Sequence, residues 1–139
     1  MKVLLAVDGS SYTKKMLAYL AANGLFSSKN DYTTVTAQQL LPSQVRSALG
    51  KELVSKYYED EGLRVMAPVT KFLQRHGITA KCIWKVSRPG ELISKIATDG
   101  KFDLVVMGSH GHGALVNLVV GSVATEVLAN CRVPVLIVR

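Results

Sequence analysis

The sequence is short of cysteine, of aromatic residues, of long apolar runs and of acidic charge, and each shortage excludes something. Its 139 residues include two cysteines, Cys82 and Cys131, with no CxxC and no Cys/His cluster around either. A disulfide framework or a structural zinc site needs more ligands at closer spacing, so both are expected to be small buried apolar residues. Aromatics make up 6% of the chain, and no basic stretch is interleaved with them to stack bases, which argues against nucleic acid as a partner. Apolar runs such as Val133 to Val138 fall far below the ~20 residues of a membrane helix. Met1 to Val7 is too short for the apolar region of a signal peptide and breaks at Asp8-Gly9-Ser10-Ser11. A soluble, cytoplasmic protein is expected. Ten acidic residues stand against 17 basic ones, a net charge of +7. The basic residues are scattered rather than clustered, so they suit a generally cationic surface that favours anionic ligands.

What is present is enough apolar material for one core. The hydrophobic fraction is 48% and the charged fraction 19%, which excludes disorder. A chain of this length suits a single domain over residues 1–139. Apolar runs alternate with helical periodicity throughout. Strands are expected at Lys2 to Val7, Thr33 to Leu41, Ile78 to Val86, Phe102 to Met107 and Val133 to Val138. Between them, helical spacing recurs after Ser10-Ser11, from Leu53 to Leu73, from Pro89 to Thr98 and from Ser122 to Asn130. Pro42 to Gly50 reads as a polar connection, and Pro68 predicts a kink. In the third strand Ile78, Ala80, Cys82, Trp84 and Val86 alternate with Thr79, Lys81 and Lys85. Outward lysines protect a sheet edge. The β-α-β alternation calls for an open five-stranded parallel sheet in the order 3-2-1-4-5, with helices on both faces. Strands one and four then flank a topological switch point, beyond which ligands bind in such sheets. The loops reaching it begin at Asp8 and Gly108.

The second of those loops carries the chemistry. Gly108-Ser109-His110-Gly111-His112-Gly113 leaves a buried strand, and Gly121-Ser122 opens a helix. Glycines allow close backbone approach, successive free N–H groups make an anion nest, and the helix adds the positive end of its dipole. Walker A is excluded because Val120 stands before Gly121-Ser122 with no lysine, and the dinucleotide pattern fails at Val116. Asp8 suits a turn cap as well as a ligand contact. Ser122 suits an N-cap as well as a phosphate donor. His110 and His112 lack a third nearby ligand for a metal and are expected to pack or to bond backbone. His76 suits a helix C-terminus, and Arg88 is expected to be exposed.

Glycine, two residues, glycine, nine residues, glycine and serine is met by Gly108, Gly111, Gly121 and Ser122. This resembles the ATP-binding branch of the universal stress protein family. Val7-Asp8-Gly9-Ser10, Arg88-Pro89-Gly90-Glu91-Leu92-Ile93 and Cys131-Arg132-Val133-Pro134-Val135-Leu136-Ile137-Val138 extend the resemblance over nearly the whole chain. It implies a Rossmann-like fold of the adenine nucleotide alpha-hydrolase type that holds ATP, with or without Mg²⁺, in a regulatory or stress-response protein. Asp8 matches the family's aspartate beside the adenosine, and Leu40 its residue touching adenine. Met107 and Gly108 match the pocket lip near base and ribose. Gly111, Gly121, Ser122 and Val123 match the phosphate-binding positions. The family also implies a homodimer through Val133 to Val138 and signalling partner proteins. An enzyme on this scaffold, such as a slow ATP hydrolase, should bring a base or a cationic clamp to the phosphates, and the loop offers no lysine or carboxylate. A dimeric interaction module with an empty pocket should have lost the glycines, which are present.

Overall fold

The computed structural model of the chain describes residues 1–112, 117 and 119–139. Gly113, one of the loop's closely spaced glycines, and Val116 lie outside the described residues. Nine elements follow in order: β1 (Lys2–Ala6), α1 (Ser11–Ala22), β2 (Asp31–Gln38), α2 (Ser43–Arg75), β3 (Ala80–Val86), α3 (Pro89–Asp99), β4 (Leu104–Gly108), α4 (Ser122–Asn130) and β5 (Val135–Val138). The strands form one parallel sheet in the order β3-β2-β1-β4-β5, as expected from the alternation.

The period-two alternation of β1 divides the core. Val3, Leu5 and Val7 face Met16, Leu17 and Leu20 of α1 and Val65, Met66, Val69 and Leu73 of α2. Leu4 and Ala6 face Leu92, Ile93 and Ala97 of α3 and Ala124 and Val127 of α4. Both sets are buried, which is why β1 reads as a continuous apolar run. The helices that follow β1 and β4 therefore pack on opposite faces of adjacent strands, the condition for a crevice at their carboxyl ends.

Several local expectations are corrected. The second strand ends at Gln38 rather than Leu41, and Pro42 to Gly50 is mostly helical, because α2 begins at Ser43. The helix runs through Pro68, and its non-helical backbone is at Gly50, with φ +80° and ψ 166°. Pro68 and Arg64 are both exposed, so the carbonyl that loses its N–H partner is left to water instead of breaking the helix. Leu53 and Tyr57 are exposed rather than part of the buried face. Cys82 is exposed and Cys131 only half-buried. Cys82 lies on β3, an edge strand whose residues are all exposed or half-buried. The last strand begins at Val135, one residue after Pro134.

Candidate functional site

A cleft of about 590 Å³ opens where the carboxyl ends of β1, β2 and β4 meet the start of α4. That volume lies within the ordinary range for small-molecule sites. Each wall has a local cause. At β1 the chain turns through Asp8 and Gly9, which takes φ +76°. Asp8 Oδ1 accepts from the Ser10 amide and from Thr13 Oγ1, each at 2.9 Å, and the Asp8 amide donates to Thr13 Oγ1 at 3.1 Å. The carboxylate thus caps the turn with one oxygen. Its other oxygen, Oδ2, points toward Gly111, where a Cβ would sit 2.5 Å away.

Beyond Met107 and Gly108 the loop is pinned by three contacts. The Ser109 amide donates to Val138 O at 2.8 Å and the Gly121 amide to Ser109 O at 2.6 Å. His112 Nε2 donates to the Asp8 backbone carbonyl at 2.7 Å. His110 shares a hydrogen bond with Ser109 Oγ through Nδ1 at 2.9 Å, and its ring lies 5.0 Å from that of Tyr12. Both histidines thus take local hydrogen bonds in the loop. Gly121 is the N-cap of α4 and Ser122 its first helical residue. Ser122 is therefore not the cap, and its hydroxyl lies among the first-turn amides that carry the positive end of the dipole.

The far wall comes from β2 and α2. Gln38 is 9% exposed, and its Nε2 donates to Tyr58 O at 2.7 Å. The Leu41 amide donates to Tyr58 Oη at 3.0 Å. These bonds tie the chain leaving β2 to α2 and hold Leu40 at the cleft, where the residue is 61% exposed. Tyr57, Glu61, Arg64 and Val65 line the same wall, on one helical face at spacings of four, seven and eight residues. Arg64 donates to both Glu61 oxygens at 3.0 to 3.2 Å. That hydrogen bonding holds the Glu61 carboxyl below the usual carboxylate range and keeps it ionised.

The eight residues that the family resemblance assigns to the site line this one cleft: Asp8, Leu40, Met107, Gly108, Gly111, Gly121, Ser122 and Val123. The α2 face was missed. Its polar residues carry no motif, and the only available signal was their common helical face. Arg88 pairs with Glu91 at 3.3 Å on the surface and is not among the cleft's walls. His76 ends α2, and its Nδ1 donates to Phe72 O at 2.9 Å. Among the described residues no group of three His, Cys, Asp or Glu side chains could hold a metal ion, and no helix is long and apolar enough to cross a membrane.

The family model described as "Universal stress protein family" matches residues 1–139. The chain belongs to the universal stress protein family. Universal stress protein Slr1230 of Synechocystis is 30% identical over 139 residues, 99% of this chain and 42% of that protein. Universal stress protein MJ0577 of Methanocaldococcus jannaschii is 39% identical over 88 residues, 63% of this chain and 54% of that protein. The chain thus spans about half the length of these curated family members. The solved structure of MJ0577 superposes with a TM-score of 0.83 at 30% identity, covering 99% of this chain and 94% of that one. Two further structures share the fold at lower identity. A family member from Arabidopsis thaliana with AMP bound has a TM-score of 0.72 at 16% identity, covering 99% of this chain and 90% of its own. The universal stress protein of Archaeoglobus fulgidus in complex with dAMP has a TM-score of 0.67 at 17% identity, covering 100% and 98%.

Proposed function

We propose that the chain is an adenine-nucleotide-binding regulatory protein of the stress response, holding ATP at the switch point between β1 and β4. The observation that carries this reading is the convergence of two kinds of wall in one cleft. At one end, Gly111, Gly121 and the first turn of α4 offer backbone N–H groups and the Ser122 hydroxyl, the means by which phosphate is held. At the other, Leu40, Val65, Met107 and Val123 offer apolar surface suited to a base. Asp8 stands between them, with Oδ2 directed at the loop and suited to accept from ribose hydroxyls. Family members that hold AMP and dAMP support an adenine nucleotide as the ligand.

Residues 1–139 act as a single nucleotide-binding unit in the cytoplasm, and the unit works as a homodimer that signals through partner proteins. Mg²⁺ accompanying ATP would add positive charge at the phosphates; among the described residues no group of three His, Cys, Asp or Glu side chains could hold it. Of the cleft's two carboxylates, Asp8 holds Ser10 and Thr13 through Oδ1 and leaves Oδ2 for the ribose, and Glu61 is paired with Arg64. Binding rather than turnover is therefore the expected activity.

The test is direct. Protein purified from cells, denatured and chromatographed should release an adenine nucleotide. Titration calorimetry should show ATP binding to the wild type and none to Gly121→Val. A Cβ at Gly121 would meet Ser109 O at 3.1 Å and the His110 Cα at 3.2 Å, so a valine there displaces the loop's backbone. Unchanged ATP affinity in a folded Gly121→Val would reject this site.

A further inference from the structure

The chain is strongly cationic, but its cleft is not. Against 17 basic residues in the sequence, the permanently charged side chains lining the cleft are Asp8, Glu61 and Arg64, and Arg64 is paired with Glu61. Among the described residues lining the cleft, no permanent cation is unpaired. The five residues outside the description, Gly113, Ala114, Leu115, Val116 and Leu118, are all non-ionisable. The remaining ionisable groups at the loop are His110 and His112.

His112 has a geometry that couples its proton to anion binding. Its Nε2 lies 2.7 Å from the Asp8 backbone carbonyl. A carbonyl only accepts, so Nε2 carries a hydrogen in both charge states. The neutral ring therefore leaves a bare lone pair on Nδ1, whereas the cationic ring has an N–H at each nitrogen. A phosphate oxygen meeting Nδ1 is repelled by the first form and held by a charge-assisted hydrogen bond by the second. The charged and titratable groups around it come from several elements. Asp8 faces the loop from the β1–α1 turn, and Glu61, paired with Arg64, faces the cleft from α2. His110 shares the loop, and Lys15 of α1 lies beyond it over the Tyr12 ring. The parts of β2, β4 and α4 lining the cleft bring no ionisable side chain.

We propose that His112 is a proton-linked phosphate ligand, so that the cleft holds a nucleotide's polyphosphate tail more tightly as pH falls from 8 to 6. The nucleoside part binds independently of pH over that range. This rests on the nucleotide reading above and deepens it, because it makes the occupancy of the site respond to proton concentration. By linkage, a bound phosphate that favours the protonated ring tenfold is itself bound about tenfold more tightly by that ring.

The experiment is calorimetric titration of ATP and of adenosine at pH 6, 7 and 8, at fixed ionic strength and Mg²⁺. It uses the wild type, His112→Gln and His112→Lys. The terminal phosphate of ATP titrates in the same range, so the comparison is between proteins at each pH. Wild type should gain about sixfold in ATP affinity from pH 8 to pH 6 relative to His112→Gln, for a tenfold preference of phosphate for the protonated ring. His112→Lys should bind ATP tightly with no such gain, and adenosine affinity should not vary with pH in any of the three. A His112→Gln profile parallel to the wild type overturns the proposal, as does the same pH dependence for adenosine. Adenosine binding with no added affinity for ATP at pH 6 overturns it while sparing the base and ribose part of the site. Failure of both ligands to bind the wild type at any pH removes the nucleotide reading and this inference together.

Discussion

Gly111 lies so close to the Asp8 carboxylate that a side chain there has no room. A Cβ at residue 111 would lie 2.5 Å from Asp8 Oδ2. The carboxylate cannot swing aside freely, because Oδ1 is held by the Ser10 amide and Thr13 Oγ1. Gly111→Ala should therefore push the loop off the β1–α1 turn and abolish ATP binding. Thermal melting should hardly change, since the residue lies at the cleft and not in either core cluster. Ser122→Ala is a gentler change. It removes one hydroxyl and leaves the backbone amides of α4, so it should cost about 0.5–1.5 kcal/mol of binding, rising toward 3 where the phosphate charge is felt. Calorimetry on the two variants, with melting curves as the control for folding, checks both. Equal losses, or a Gly111→Ala protein that binds like the wild type, would separate the loop from the nucleotide.

Helix α2 is the element the sequence hid. Its buried half was legible in Val65, Met66, Val69 and Leu73, which recur at helical spacing and pack on β1. Its first half buries nothing: residues 43–53 and 55–57 are exposed and Val54 half-buried. Val45 and Leu49 continue the four-residue spacing of Leu53 and Tyr57, but two apolar positions among polar residues behind Pro42 are too few to mark a helix, so 42–50 reads as a loop. The end of β2 was misplaced for a related reason. Gln39-Leu40-Leu41 looks like strand, but the Leu41 amide turns to Tyr58 Oη and the Gln38 side chain to Tyr58 O, bonds that no local pattern encodes. By contrast α4 was read to its observed limits, because a glycine and a short apolar period mark it. The seven residues before Gly50 are fewer than the ~12–15 an isolated helix needs in water. Gly50, at φ +80° and ψ 166°, uncouples them from the packed part. Amide hydrogen exchange should therefore show weak protection over residues 45–56 and strong protection over 65–75. Uniform protection along α2 would mean that something covers its first half.

At the scale of the whole molecule, the sheet order could be read because lysines mark one edge and aliphatic residues the other, with the glycine loop between them at the switch point. Those same edges differ in what they invite. The β3 edge carries exposed Lys81 and Lys85, which discourage pairing. The β5 edge carries Val135, Leu136, Ile137 and Val138 and no charge until Arg139. Its ladder to β4 uses alternate residues: Pro134 O accepts from the Val105 amide and Val138 O from the Ser109 amide. In a parallel ladder the intervening residues, Val135 and Ile137, then direct their N–H and C=O groups outward. That open row is a template for a second copy related by a two-fold axis, which would cover both edges at once. The side chains are a different matter. Val135 and Ile137 pack against the α3–α4 core and Leu136 against the α1–α2 core, so lysines there would test folding as much as pairing. Ile137→Pro is the sharper variant, because it removes one outward N–H and leaves the inward ladder groups in place. Light scattering at micromolar concentration should give a dimer for the wild type and a monomer for Ile137→Pro, with circular dichroism confirming that the variant is folded. A monomeric wild type, or a folded Ile137→Pro that stays dimeric, would move the interface away from β5.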